Sequence, residues 1–347
     1  GNIIQPFRPT RRWLWSRWKG TIFQQSLSAA CWNMLISVTF ILGFRWVCDN
    51  VIHQPITWAL WVIPDESHSL IKRLFGLNKF WTTTMGLTTF ILTFFLSEAY
   101  TLWKTVYTIG REIQGHLDDI SLIASSRAER HPQSNQFTPR AIKALDDVAS
   151  YIRLLNALMW ASFAEKYRVL LTPKGLSRLL SRGVMTREQY KCLIDIQPIS
   201  SAPQFAILQW IYIRTIKGME EGAFAPSDCV EGAFTDKILD LRASMSGINV
   251  SLEGKIPLAY THFVQVLVDV FLLLAPFGLY PELGLWSVPS VGLLTLFFGG
   301  ILDLSKILLF PLQSDDDSSF SKNTSVNMDI GALIRETNAG PSQWKGG

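Results

Sequence analysis

Charge is scarce in this chain. Asp, Glu, Lys and Arg make up 17% of its 347 residues, against about 25% in an average soluble domain. With 48% hydrophobic residues beside it, that shortage excludes disorder, and Gly and Pro without a period exclude a collagen-like chain. Cysteine is scarce as well. Cys31, Cys48, Cys192 and Cys229 stand far apart, with no CxxC pair and no histidine at ligand spacing, which excludes a disulfide framework or a zinc site. Enzyme signatures are missing: the sequence holds no GxGxxG, GxSxG, GK[ST] or HExxH, and its five histidines are dispersed. It reads as no enzyme. A net charge of +4 is too small to imply a nucleic-acid partner.

Long apolar runs are present. A helix needs about 20 apolar residues to cross a bilayer, and four stretches qualify. The first runs from Ser26 to Phe44 and ends at Arg45, and the second from Phe80 to Ser97 between Lys79 and Glu98. The third, Ile256 to Pro281, carries one acid, Asp269; the fourth runs from Leu283 to Leu302. Only Glu282 separates the last two, so a tight hairpin with Pro281 at its turn is expected. A signal peptide is disfavoured for the first run, which is too long and lacks a small-residue cleavage site.

Arg8, Arg11, Arg12, Arg17 and Lys19 precede the first span with no acid among them, the mark of the cytoplasmic or equivalent side. Four spans put both termini and the segment 101–255 on that side. The segment reads as helical, with Trp103, Val106, Tyr107, Ile109, Ile113 and Leu117 at spacings of three and four or nearby. Thr138 before Pro139 should cap a helix, and Thr186-Arg-Glu-Gln189 resembles a capping box. The expected organisation is a basic segment (1–25), two spans with their loop (26–100), a helical aqueous domain (101–255), a hairpin (256–312) and a polar tail (313–347).

Few side chains carry chemistry. Asp118-Asp119 and Asp146-Asp147 are neighbours in sequence, so on a helix they point about 100° apart and read as solvated faces. Asp269 inside a span is either functional or paired with a cation on another helix. The second span mixes Thr82, Thr83, Thr84, Thr88, Thr89 and Thr93 with Phe90, Phe94 and Phe95. Composition alone favours helix packing over an aqueous path for it. Asp315-Asp316-Asp317 offers hard oxygen ligands but lacks the alternation of an EF-hand.

The order of short motifs adds more. Trp18-Lys-Gly-Thr-Ile-Phe23 resembles the Trp-Arg-Gly-Ser-Ile-Tyr stretch that opens animal bestrophins, and Ile256-Pro-Leu-Ala-Tyr-Thr261 resembles their Ile-Pro-Leu-Val-Tyr-Thr. Arg242 stands fourteen residues before Ile256, as the corresponding Arg does there. Pro311, the Asp315–Asp317 run and Phe320 resemble the family's Pro-Phe-Gly, acidic cluster and Phe. The chain is more similar to the plant and algal plastid branch, the thylakoid voltage-dependent chloride channels.

The resemblance implies an all-α homopentameric membrane channel passing chloride and other monovalent anions, in the thylakoid membrane with both termini in the stroma. The second span would line the neck. Aligning Trp103 and Tyr107 with the family's aromatic motif places Gly86, Phe90 and Phe94 on its three rings, with relatives carrying Ile where Gly86 stands. A register four residues away would use Thr82, Gly86 and Phe90. A second aperture would fall at Cys229 and Val230. Asp315, Asp316 and Asp317, with backbone near Ile4, would form a Ca²⁺ clasp, weakened by Ser318 and Ser319 where animal relatives keep Asp. Besides chloride, bicarbonate fits the same fold. A carrier using Asp269 and a non-conducting scaffold are the other classes consistent with the sequence.

Overall fold

The computed structural model describes residues 3–4, 10–16, 21–51, 69–195, 203–312 and 327–343. Its helices are α1 (Arg11–Ser16), α2 (Ile22–Asn50), α3 (Ser69–Arg127), α4 (Pro139–Phe163), α5 (Pro173–Ser181) and α6 (Arg187–Asp195). They continue with α7 (Pro203–Glu220), α8 (Asp228–Glu253), α9 (Leu258–Leu283), α10 (Ser287–Leu308) and α11 (Ile330–Gln343). Among the described residues there is no strand, only two isolated bridges, Ala128 with Phe224 and Arg130 with Phe137. The fold is all-helical.

Local chemistry sets several helix starts. Thr138 accepts from the Ala141 N–H with Pro139 behind it, so α4 begins on a capped, pre-bent first turn. The Thr186 capping box forms in both directions: the Thr186 N–H donates to Gln189 at 2.8 Å, and the Gln189 N–H donates back at 3.3 Å. Thr172 likewise caps α5 through the Gly175 N–H.

Among the described residues, three stretches are long and apolar enough to cross a membrane: Ser26–Asn50, Ile71–Arg127 and Leu258–Leu308. The last is two helices folded back on each other, because Phe271 of α9 packs on Phe298 of α10 across the break. The turn differs from the expected one. Pro276 and Pro281 both lie inside α9, and the chain reverses at Gly284, whose φ of 53° suits a residue without Cβ. Pro281 lacks the N–H that would serve the Phe277 carbonyl, and Asn78 from α3 donates to the adjacent Gly278 carbonyl at 2.8 Å. α2 runs antiparallel to α10, since Ser26 reaches Asp303 and Asn33 reaches Thr295. Arg45 is not a span end: α2 continues to Asn50, and Arg45 is buried with its Nε donating to the Tyr280 hydroxyl at 3.4 Å.

α3 is the element that joins the halves. Its 59 residues give a contour of about 88 Å, against a hydrocarbon layer of about 30 Å. The upper part packs on α9 and α10 around Trp81, Leu92, Phe95 and Phe271. The lower part packs on α8 and α4 around Ile113, Leu117, Trp160 and Leu241. The polar tail is not wholly a tail. α11 lies on α4 and α3 with Ala332, Leu333 and Thr337 buried, and Asn156 donates to the Ile334 carbonyl and the Asn338 side chain. Small and polar residues hid this helix, whose apolar face is only a few residues wide.

Candidate functional site

The upper half of α3 has two faces of opposite character. At about 100° per residue, Trp81, Leu92, Phe95 and Ala99 fall on one side of the helix, and all are buried against α9 and α10. Phe90 points about 180° from Trp81 and Ala99. It is 71% exposed, and Phe94 one turn on is 50% exposed. Two large aromatic side chains are thus left uncovered by the described residues of this chain.

Thr82 and Gly86 are exposed on the same helix. A Cβ added at Gly86 would meet nothing within 4 Å. Gly86, Phe90 and Phe94 share one exposed arc, whereas Thr82 lies about 80° round from Phe90, at the edge of that face. The hydroxyls carry less meaning than their number suggests. Thr83, Thr84, Thr89 and Thr93 each donate to the carbonyl four residues back at 2.8–2.9 Å. Such bonds satisfy them without water. Thr88, by contrast, is buried on the packed side.

The aperture pair separates. Cys229 is exposed at the start of α8, whereas Val230 is 4% exposed and belongs to the aqueous core. Only Cys229 offers its side chain to solvent.

Asp315, Asp316 and Asp317 lie outside the described residues, but the backbone on either side of that segment converges. The Met328 N–H donates to the Pro311 carbonyl at 3.3 Å, and the Asp329 N–H donates to the Ile3 carbonyl at 2.9 Å. Ile4 packs half-buried against the aqueous core. The N-terminal backbone is thereby held beside both ends of the acidic segment, an arrangement compatible with a hard-cation clasp. Asp329 itself is engaged elsewhere: it caps the Ala332 N–H and faces Arg335 at 3.6 Å. Among the described residues no group of three metal-ligating side chains occurs.

Asp269 is exposed on α9 and accepts from Gln265 at 2.7 Å, so its partner is a neutral side chain one turn away rather than a cation on another helix. Sequence reasoning missed two features at the junction of the halves. Lys255 Nζ sits 4.5 Å over the Phe310 ring, and burial lowers its pKa below the usual lysine value. It borders a cavity of about 230 Å³ that also meets Arg168 and Glu165. Tyr100, Trp103 and Tyr107 stack down α3 with centroids 6.1 and 5.9 Å apart. The spacing of three and four was visible; the stacking was not.

A membrane-type helical bundle is thus continued by one long helix into a second helical half. The profile of the family described as "Bestrophin, RFP-TM, chloride channel" matches residues 12–334, and the chain belongs to the bestrophin family. That description is of a channel and not of an enzyme. The chain superposes on a point variant of a bacterial bestrophin homologue from Klebsiella pneumoniae with TM-score 0.68 and 16% identity, covering 94% of this chain and 100% of that one. Another crystal structure of the Klebsiella pneumoniae homologue gives TM-score 0.64 and 17% identity over 91% and 97% of the two chains. A point variant described as a membrane protein gives 0.67 and 16% over 93% and 99%. At these identities the likeness is one of fold. No curated protein sequence matches the chain.

Proposed function

We propose that the chain is one subunit of a homopentameric anion-selective channel that crosses the membrane four times and passes chloride and other monovalent anions down their gradient. What supports this most is the uncovered Phe90–Phe94 face of α3, standing opposite the face that packs into its own subunit. Brought together around an axis, five such faces enclose a path narrow at the phenyl rings and wider at Gly86.

A phenyl ring is electropositive at its edge and negative on its face. Edges turned inward accept a weakly hydrated anion without a fixed charge at the constriction. Apolar rings also let the neck close by dewetting. A carrier would need broken helices around a midplane site, whereas α2 and α3 are continuous through their apolar stretches. The thylakoid membrane, with both termini in the stroma, is the location we assign from the plastid-like motifs. Asp315–Asp317 and backbone near Ile4 would hold Ca²⁺, which would supply positive charge and cross-link the ends of the chain there.

The test is recording from purified protein in a planar bilayer under a chloride gradient. A reversal potential near the chloride equilibrium value is expected. A cation-selective reversal sinks the proposal, and silence from folded pentamers points to the scaffold. Replacing chloride by bicarbonate separates the two anions.

A further inference from the structure

The exposed stripe of α3 extends well beyond the neck. Lys79, Thr83, Phe90, Ser97, Thr101 and Lys104 lie within about 40° of one line along the helix, and each is exposed. Phe94 and Gly86 share that arc. A lysine therefore stands on the stripe on each side of the aromatic pair. By helix rise, Lys79 lies about 16 Å before Phe90 and Lys104 about 15 Å after Phe94.

No acid interrupts this line between the two lysines. Glu98 is turned about 80° from Phe90, on the side of Tyr260 of α9. The next acid on the stripe, Glu112, comes about 12 Å beyond Lys104. Among the described residues neither lysine takes part in an ion pair. Their charge is uncompensated where it faces outward from the subunit.

We propose that Lys79 and Lys104 are the anion-concentrating residues of the pathway, forming a cationic ring on either side of the Phe90–Phe94 neck. This rests on the channel reading above and adds the residues that set its charge selectivity. Each ring lies farther from the neck than the Debye length of about 8–10 Å at physiological salt. The rings therefore act mainly by raising anion concentration in a low-dielectric vestibule, where the field is focused. Their effect must fade as salt rises, and the neck alone then limits conduction.

The experiment compares wild-type, Lys104→Gln, Lys79→Gln and Lys104→Arg channels in planar bilayers at about 20 mM and about 1 M chloride, spanning long and short screening lengths. Each Gln variant should lose conductance by at least about threefold at low salt and by less than about a fifth at high salt, with Lys104→Arg like wild type. Lys104→Glu should shift the reversal potential toward the cation value. Wild-type conductance at low salt in both Gln variants overturns the proposal. Equal fractional loss at both salt concentrations overturns it too, since that marks a steric or structural effect. Both results leave the chloride current of the wild-type protein, and so the channel reading, intact. Absence of chloride current in the wild type sinks both.

Discussion

The indole of Trp81 lies flat against the ring of Phe271, with 4.9 Å between centroids and 9° between planes, and its N–H donates to the carbonyl of the same residue at 3.0 Å. One side chain thus fixes α3 to α9 by both area and a directed bond. Trp81→Phe keeps a ring but loses the donor, and about 1 kcal/mol of stability should go with it. Trp81→Ala also opens a cavity and should cost about 3–5 kcal/mol. Gly278→Ala brings a methyl to 3.0 Å from Trp81 and should loosen the same seam. Thermal unfolding in detergent reads all three.

On the channel proposed above, Phe90→Ala and Phe94→Ala should each raise single-channel conductance and weaken discrimination among halides, because the proposed constriction widens. Gly86→Ile has room within the subunit, so it should fold normally. It should lower conductance by narrowing the path proposed to pass Gly86. Unchanged currents in all three variants would remove this face of α3 from the pathway.

Asp118 gives a pH signature in the aqueous half. Burial first, and the neighbouring Asp119 second, push its carboxyl above the usual range, while Lys237 engages Asp119 at 3.2 Å. A carboxyl raised in the folded state destabilises when ionised. The penalty is in full force above its raised value and disappears as pH falls below the ordinary carboxylate range. Asp118→Asn should therefore raise Tm at neutral pH and flatten its rise on mild acidification. A Tm–pH curve identical to wild type would contradict this.

Helix α11 is held chiefly by buried groups. The Arg111–Glu336 pair at 3.0 Å is exposed on both sides and should contribute about 0.2–1 kcal/mol. Asn156 is fully buried and bonds α11 twice. Asn156→Ala should speed amide exchange across 330–338, and Glu336→Gln should change it little.

The acidic segment makes a separate prediction. If Asp315, Asp316 and Asp317 hold Ca²⁺, the triple Asn variant should abolish Ca²⁺-dependent stabilisation of the protein, read as a Tm shift on adding the ion. Equal shifts in variant and wild type would place the ion elsewhere.

Much of this architecture was legible in the sequence. Thr138, Thr186 and Gln189 announced their caps because capping is local chemistry, and the spans announced themselves by length. Phe90 and Phe94 were singled out through motif order, and the structure leaves both exposed. Their orientation was not legible, since a helix with threonine on every side has no clear apolar stripe. The reversal at Gly284 was displaced because Pro281 looks like a turn residue, whereas α9 carries it and runs on to Leu283. Helix α11 and the burial of Val230 depend on surfaces contributed by α3, α4 and α8, which no local pattern contains.

The uninterrupted helix from Ser69 to Arg127 is also a lever without a joint. Its far end is gripped by α8, α4 and α11. Because no break separates that end from the Phe90–Phe94 face, a displacement of the aqueous half is carried along the rod to that face as a whole-body movement.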